Sequence, residues 1–90
     1  MASAYPEKSF DQFWKWLGSR RKAQTLAGRS HVWGEVDGKL IILTSSRKKH
    51  YSVGRDAAGD YCREAVKRNF EGLTGNKRWI AALYSDFLEN

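Results

Sequence analysis

The sequence has one cysteine, Cys62, in ninety residues. A single thiol cannot close a disulfide within the chain, so packing alone must hold the fold, and the expected setting is a reducing, cytoplasmic one. No run approaches the roughly 18 apolar residues of a membrane helix. The opening "MASAYPEKSF" carries a proline and two charges where a signal peptide has an apolar core. No membrane partner is expected. Glycine-rich phosphate loops are missing as well: "SVGRDAAGD" and "GLTGNK" lack the two glycines five apart, followed by Lys-Ser or Lys-Thr, that a P-loop needs. His31, His50 and Cys62 have no paired spacing, so neither a metal site nor a cofactor is expected. No repeat, low-complexity segment or linker divides the chain. It reads as a single small basic domain over residues 1–90, with 1–8 a loose lead-in and only a modest core.

Acid is scarce in one region. Sixteen Lys and Arg against ten Asp and Glu give a net charge of +6. Between Lys15 and Arg55 there are ten cations and only Glu35 and Asp37 to oppose them, so that stretch carries +8 and the remainder −2. Such segregation favours a polyanionic partner, above all nucleic acid.

Apolar spacing sets the expected elements. Phe10, Phe13, Trp14 and Leu17 recur at helical spacing, with Ser9 and Gln12 at the positions of a capping box, so a first helix is expected over about 10–17. It either breaks at Gly18 or continues through "SRRKAQTLA", and Arg20, Arg21 and Lys22 then lie near a helix C-terminus. "HVWGEV" and "KLIILTS" flank Asp37-Gly38, a hairpin signal. A two-residue turn there sets Val32 opposite Leu43 and Gly34 opposite Ile41, with Trp33 and Ile42 on the other face. "KHYSV" (49–53) is the third strand. A three-residue connection before it, the arrangement expected, places Tyr51 and Val53 on the face of Val32, Ile41 and Leu43. Helix two begins near Asp56, with Cys62 on its apolar stripe and Gly72 as its stop. A last helix covers about 76–88, with Trp79, Ile80, Leu83, Tyr84 and Phe87 on one side. The expected fold is α+β: a three-stranded antiparallel β-meander preceded by one helix and followed by two, α-β-β-β-α-α.

"TSSRKKHY" at 44–51 ends the most apolar stretch of the chain in three consecutive cations. Arg47, Lys48 and Lys49 on a hairpin tip, with the hydroxyls of Ser45 and Ser46, suit phosphate oxygens. Arg55, near a helix start, is expected to support them. Arg20, Arg21, Lys22 and Arg29 form a second patch if helix one ends beside the hairpin. Trp16 and Trp33 fall off the expected buried stripes. Each is a candidate for base stacking or for an interface; for Trp33 the expected arrangement is burial under a helix that covers the second sheet face, and for Trp16 the alternatives stay open. Cys62 reads as a small buried hydrophobe and His50 as a solvent-exposed strand residue.

The expected function is nucleic-acid binding without catalysis, with double-stranded DNA favoured over RNA because no single-strand stacking motif is visible. The rival is a protein–protein module or homodimeric regulator built on Trp16, Trp33, Leu40 and Ile42. A third reading, a small ribonuclease, requires His31, His50 and a cation to converge in a cleft.

Overall fold

A computed structural model describes residues 7–24, 31–45 and 50–89. Their order is α1 (Glu7–Trp16), β1 (Arg21–Gln24), β2 (His31–Asp37), β3 (Leu40–Ser45), β4 (His50–Gly54), α2 (Arg55–Lys67) and α3 (Asn76–Glu89). The strands form one antiparallel sheet in the order β1-β2-β3-β4. The class is α+β, as the sequence indicates, but the sheet has four strands rather than three.

The extra strand lies in the cation-rich segment after the first helix. The backbone of α1 starts at Glu7, so Ser9 lies inside the helix and not at its cap, and the helix ends before Gly18. The carbonyl of Leu17 then accepts the amide of Val36 at 3.1 Å, which ties the end of α1 to β2. The chain re-enters as β1, with Ala23 opposite Val32 and Lys22 opposite Trp33. "RKAQ" holds good helix formers and one apolar residue, and nothing local marks it as a strand. Pairing with β2 overrides its propensity.

The β2–β3 hairpin closes two residues later in register than a turn centred on Asp37-Gly38 would set. Asp37 pairs with Leu40, Gly34 with Leu43 and Val32 with Ser45. Gly38 takes the first central position with φ +63° and Lys39 the second without a positive φ, the Gly-X order of a type II′ turn. A shift of two residues preserves the face of every side chain. Ile41 opposes Val53 and Leu43 opposes Tyr51, so β4 joins with the alternation expected from a three-residue connection.

One sheet face carries the core. Ala23, Val32, Ile41, Leu43 and Val53 pack with Phe13 and Leu17 of α1, Ala58 and Cys62 of α2, and Ile80, Leu83 and Tyr84 of α3. Aromatic rings link the helices: Phe13 meets Tyr84 edge-on at 5.0 Å and Phe87 at 5.6 Å. Trp16 joins this group, 6.0 Å from Phe13 and 5.5 Å from Phe87. A smaller cluster of Ala65, Leu73 and Ala81 seals α2 against α3. Helix α2 ends before Gly72, the stop expected from sequence. Asn69, at φ 55°, and the bonds Phe70 N–H to Ala65 O and Asn69 N–H to Val66 O form a Schellman closure, with Phe70 resting on Ala65.

Gly34 is where the helical layer comes closest to the sheet. A β-carbon built there would lie 2.5 Å from Leu83 Cδ1 and 3.3 Å from Leu17 Cδ2. Gly34→Ala is expected to destabilise the protein by about 1–3 kcal/mol through overpacking, read from the urea midpoint. Leu83→Ala in the Gly34→Ala background is expected to cost less than Leu83→Ala alone. Additive losses would place the clash elsewhere.

Candidate nucleic-acid interface

Strand alternation divides the sheet into two chemically different faces. Inward, beneath the helices, lie Ala23, Val32, Gly34, Ile41, Leu43, Ser45 and Val53, all buried. Outward lie Lys22 and Gln24 of β1, His31, Trp33, Glu35 and Asp37 of β2, Leu40, Ile42 and Thr44 of β3, and His50 and Ser52 of β4. No described helix packs on this outward side, and neither Trp33 nor Ile42 joins the core. A covering helix, which would have buried Trp33, is therefore not found among the described residues. Trp33 is half-buried on an open face.

Register aligns four of these residues in one line across the strands: Lys22, Trp33, Thr44 and His50. Thr44 Oγ1 and His50 Nδ1 are 3.2 Å apart and share a hydrogen bond. The guanidinium of Arg20 stands over the Trp33 ring at 5.8 Å. The imidazole of His31, two residues before Trp33 on the same strand face, is 6.5 Å from the indole and inclined at 46°. The adjacent line holds Glu35, Ile42 and Ser52, and the one beyond it Asp37, Leu40 and Gly54. Both acids of this face thus lie toward the β2–β3 hairpin.

The opposite end of the sheet is where Gln24, His31, Ser45 and His50 sit. Arg29, Ser46, Arg47, Lys48 and Lys49 lie outside the described residues, in the two connections that join these strand ends. Arg20, Arg21 and Lys22, expected as one patch beside a helix end, are split by the alternation of the backbone. Arg20 and Lys22 serve the open face. Arg21 turns back to α1, donating from Nε to the carbonyl of Trp16 at 3.1 Å with its guanidinium 5.0 Å from that indole. Ser45 is 9 % exposed and faces the helices.

Arg55 lies at the far end of β4, about 16 Å along five strand residues from the 46–49 connection. Its amide donates to the carbonyl of Lys39, and its side chain pairs with Asp11 and stands 5.3 Å from the ring of Trp14 and 5.9 Å from that of Phe10. It joins α1 to α2 beside a cleft of about 380 Å³. Two acids of that cleft are paired, Asp11 with Arg55 and Asp60 with Arg63, and Asp56 is a third carboxylate in its lining.

The ribonuclease reading requires His31, His50 and a cation to converge; His31 and His50 share the open face but stand on β2 and β4, with β3 between them. Among the described residues no group of three or more His, Cys, Asp or Glu is placed to hold a metal ion. No described helix is long and apolar enough to cross a membrane.

Two features of the open face escape a reading of the sequence alone. The line through Lys22 and Trp33 depends on β1, which has no local strand signal. The Thr44–His50 pair depends on the β3–β4 register.

Cys62 is 3 % exposed, and burial pushes its thiol far above the ordinary range, opposed only in part by the charge of Arg63. It is expected to react with a thiol reagent only as fast as the protein unfolds; prompt labelling of the native chain would contradict its burial. Above the unfolded thiol's pKa, near about 8.5, only the unfolded chain ionises at this position. The stability contributed by Cys62 therefore falls as pH rises past that value.

Comparison of this chain with protein-family models, with curated proteins and with solved structures found no match.

Proposed function

We propose that this chain binds nucleic acid, through the open face of its sheet and the basic connections at one end of it. One observation carries the reading. All three described helices share one side of the sheet, and the other side presents a half-buried tryptophan flanked by Arg20, Lys22 and His31. A bare sheet face of purely structural origin needs neither an indole nor cations around it. The two acids of that face lie at the hairpin end, which leaves the end nearest Arg29 and Arg47–Lys49 without an opposing carboxylate among the described residues of the face.

Phosphate contacts supply affinity and position the strand. Arg20, Lys22, Arg47, Lys48 and Lys49 are the cations assigned to that role, with Arg29 beside them. Arg21 and Arg55, already engaged with α1, are assigned to the fold. The preference for duplex DNA drawn from sequence rested on the lack of a single-strand stacking motif, and Trp33, with no described helix over it, weighs against that preference.

An interaction module is the second reading. Leu40, 42 % exposed, and Ile42 share the face of Trp33 and give it apolar character. Charged residues interleave with them, Lys22 opposite Trp33 and Glu35 opposite Ile42, so the apolar surface is broken up. Trp16, assigned to the same patch from sequence, packs instead on Phe13 and Phe87.

Binding to nucleic acid is expected to weaken steeply as salt rises. Replacing Arg47, Lys48 and Lys49 together by Ala is expected to weaken it across all sequences and to flatten the salt slope by roughly one unit per lost contact. The matched control removes three exposed helical cations, Lys15, Lys67 and Arg78. Equal losses in the two triple variants would mean a diffuse positive field in place of a site. A wild-type chain that binds no nucleic acid near physiological salt would overturn the proposal.

A further inference from the structure

We infer that the open face takes single-stranded DNA, one unpaired base lying on Trp33 with its hydrogen-bonding edge toward Thr44 and His50. The inference rests on the nucleic-acid reading above and commits it to one class of ligand.

The line across the strands has the order that a nucleotide needs. Lys22, directly opposite Trp33 on β1, and Arg20, over the indole, are cations at the sheet edge, where a sugar–phosphate backbone has room to run. Trp33 comes next and offers a ring that any base can stack on. Beyond it, directly opposite Trp33 on β3, stand Thr44 and its hydrogen-bonded partner His50. A hydroxyl and an imidazole both donate and accept, which matches the mixed edge of a base. In a duplex that edge is consumed by pairing, so only an unpaired base can present it. Charge on one side, a stacking surface in the middle and neutral donor–acceptor groups on the other form one nucleotide site.

Arg20 stands 5.8 Å from the indole centroid, wider than the contact of about 3.5–4.0 Å between stacked atoms. A base that settles on the ring releases this guanidinium to the phosphate of the same nucleotide. The imidazole of His31, 6.5 Å from Trp33 toward the end of the basic connections, offers a second ring to the next base. The strand therefore tracks along β2 from Trp33 toward His31. Arg20 and Lys22, the groups nearest the sugar, donate without accepting. A ribose 2′-hydroxyl can accept from them but finds no acceptor there for its own proton, so this pair has no group that selects ribose over deoxyribose.

The test compares one fluorescently labelled DNA strand of mixed sequence, the same strand annealed to its complement, and the RNA of that sequence, at one fixed salt concentration. The wild-type chain is expected to bind the single DNA strand at least about tenfold more tightly than the duplex and no more weakly than the RNA. Trp33→Ala is expected to weaken single-strand binding between about fivefold and a hundredfold and to change duplex binding by less than about threefold. Trp33→Phe, which keeps a ring, is expected to recover most of the loss.

Trp33 lies outside the core, and a thermal melt checks that each variant is folded. Intrinsic fluorescence gives a second readout: Trp14, Trp16 and Trp79 pack on the core, so quenching by the strand should vanish in Trp33→Phe. A duplex bound as tightly as the single strand, or a Trp33→Ala loss equal for both, would overturn the inference and leave the nucleic-acid reading standing. Tighter binding to RNA than to DNA would overturn the choice of DNA. No binding to any of the three would overturn both readings together.

Discussion

Leu83 of α3 rests on Gly34, where β2 has no side chain, and that approach draws the helices onto one face of the sheet. Leu17, at the end of α1, reaches the same spot, and its carbonyl takes the amide of Val36 next to it on β2. Two helices thus meet one strand within a few residues. The inward set Val32, Ile41 and Leu43 is fully buried there, each side chain contributing about 1.5–3 kcal/mol by leaving water. Most of the apolar side chains of the sheet are spent on this side, while Trp33, Leu40 and Ile42 stand on the other. The outward set is left to solvent, and its composition follows the other half of the same alternation.

Alternation also sorts the cations. Arg20 and Lys22 fall outward beside Trp33, while Arg21 between them turns in and caps α1 through the carbonyl of Trp16. Arg55 pairs with Asp11 near the rings of Phe10 and Trp14 and fastens α1 to α2. The positive charge of the middle of the chain therefore has two uses. Part of it cross-links helices through aromatic faces, and part stands on a surface with no described helix over it. Net charge alone cannot separate the two; the backbone direction at each residue does.

The hairpin 31–45 was legible because its pattern is local: alternating apolar residues, a glycine at the turn, and a side-chain period of two that survives a two-residue shift in pairing. The last helix was legible for the same reason at period 3.6. Strand β1 was not. "RKAQ" has one apolar residue, and only the neighbouring β2 makes it a strand. Missing β1 hid the alignment of Lys22 with Trp33, and with it half of the candidate site. Whether Trp33 was covered was also beyond a local pattern, since it depends on which side of the sheet three helices choose. The end of α2 shows the limit at a single residue. Gly72 is the obvious stop, but Asn69 takes the left-handed turn first because Phe70 gains Ala65 as a packing partner.

The central claim is that the sheet face opposite the described helices is the working surface of the protein. Mapping amide chemical shifts of the ¹⁵N-labelled chain during titration with a short single DNA strand tests it most directly. The account predicts that shifts concentrate at Lys22, His31, Trp33, Thr44 and His50 and at the Trp33 indole N–H, while amides along α2 and α3 stay in place. Shifts concentrated instead on the α2 surface, or around Arg55 and the cleft between α1 and α2, would contradict it.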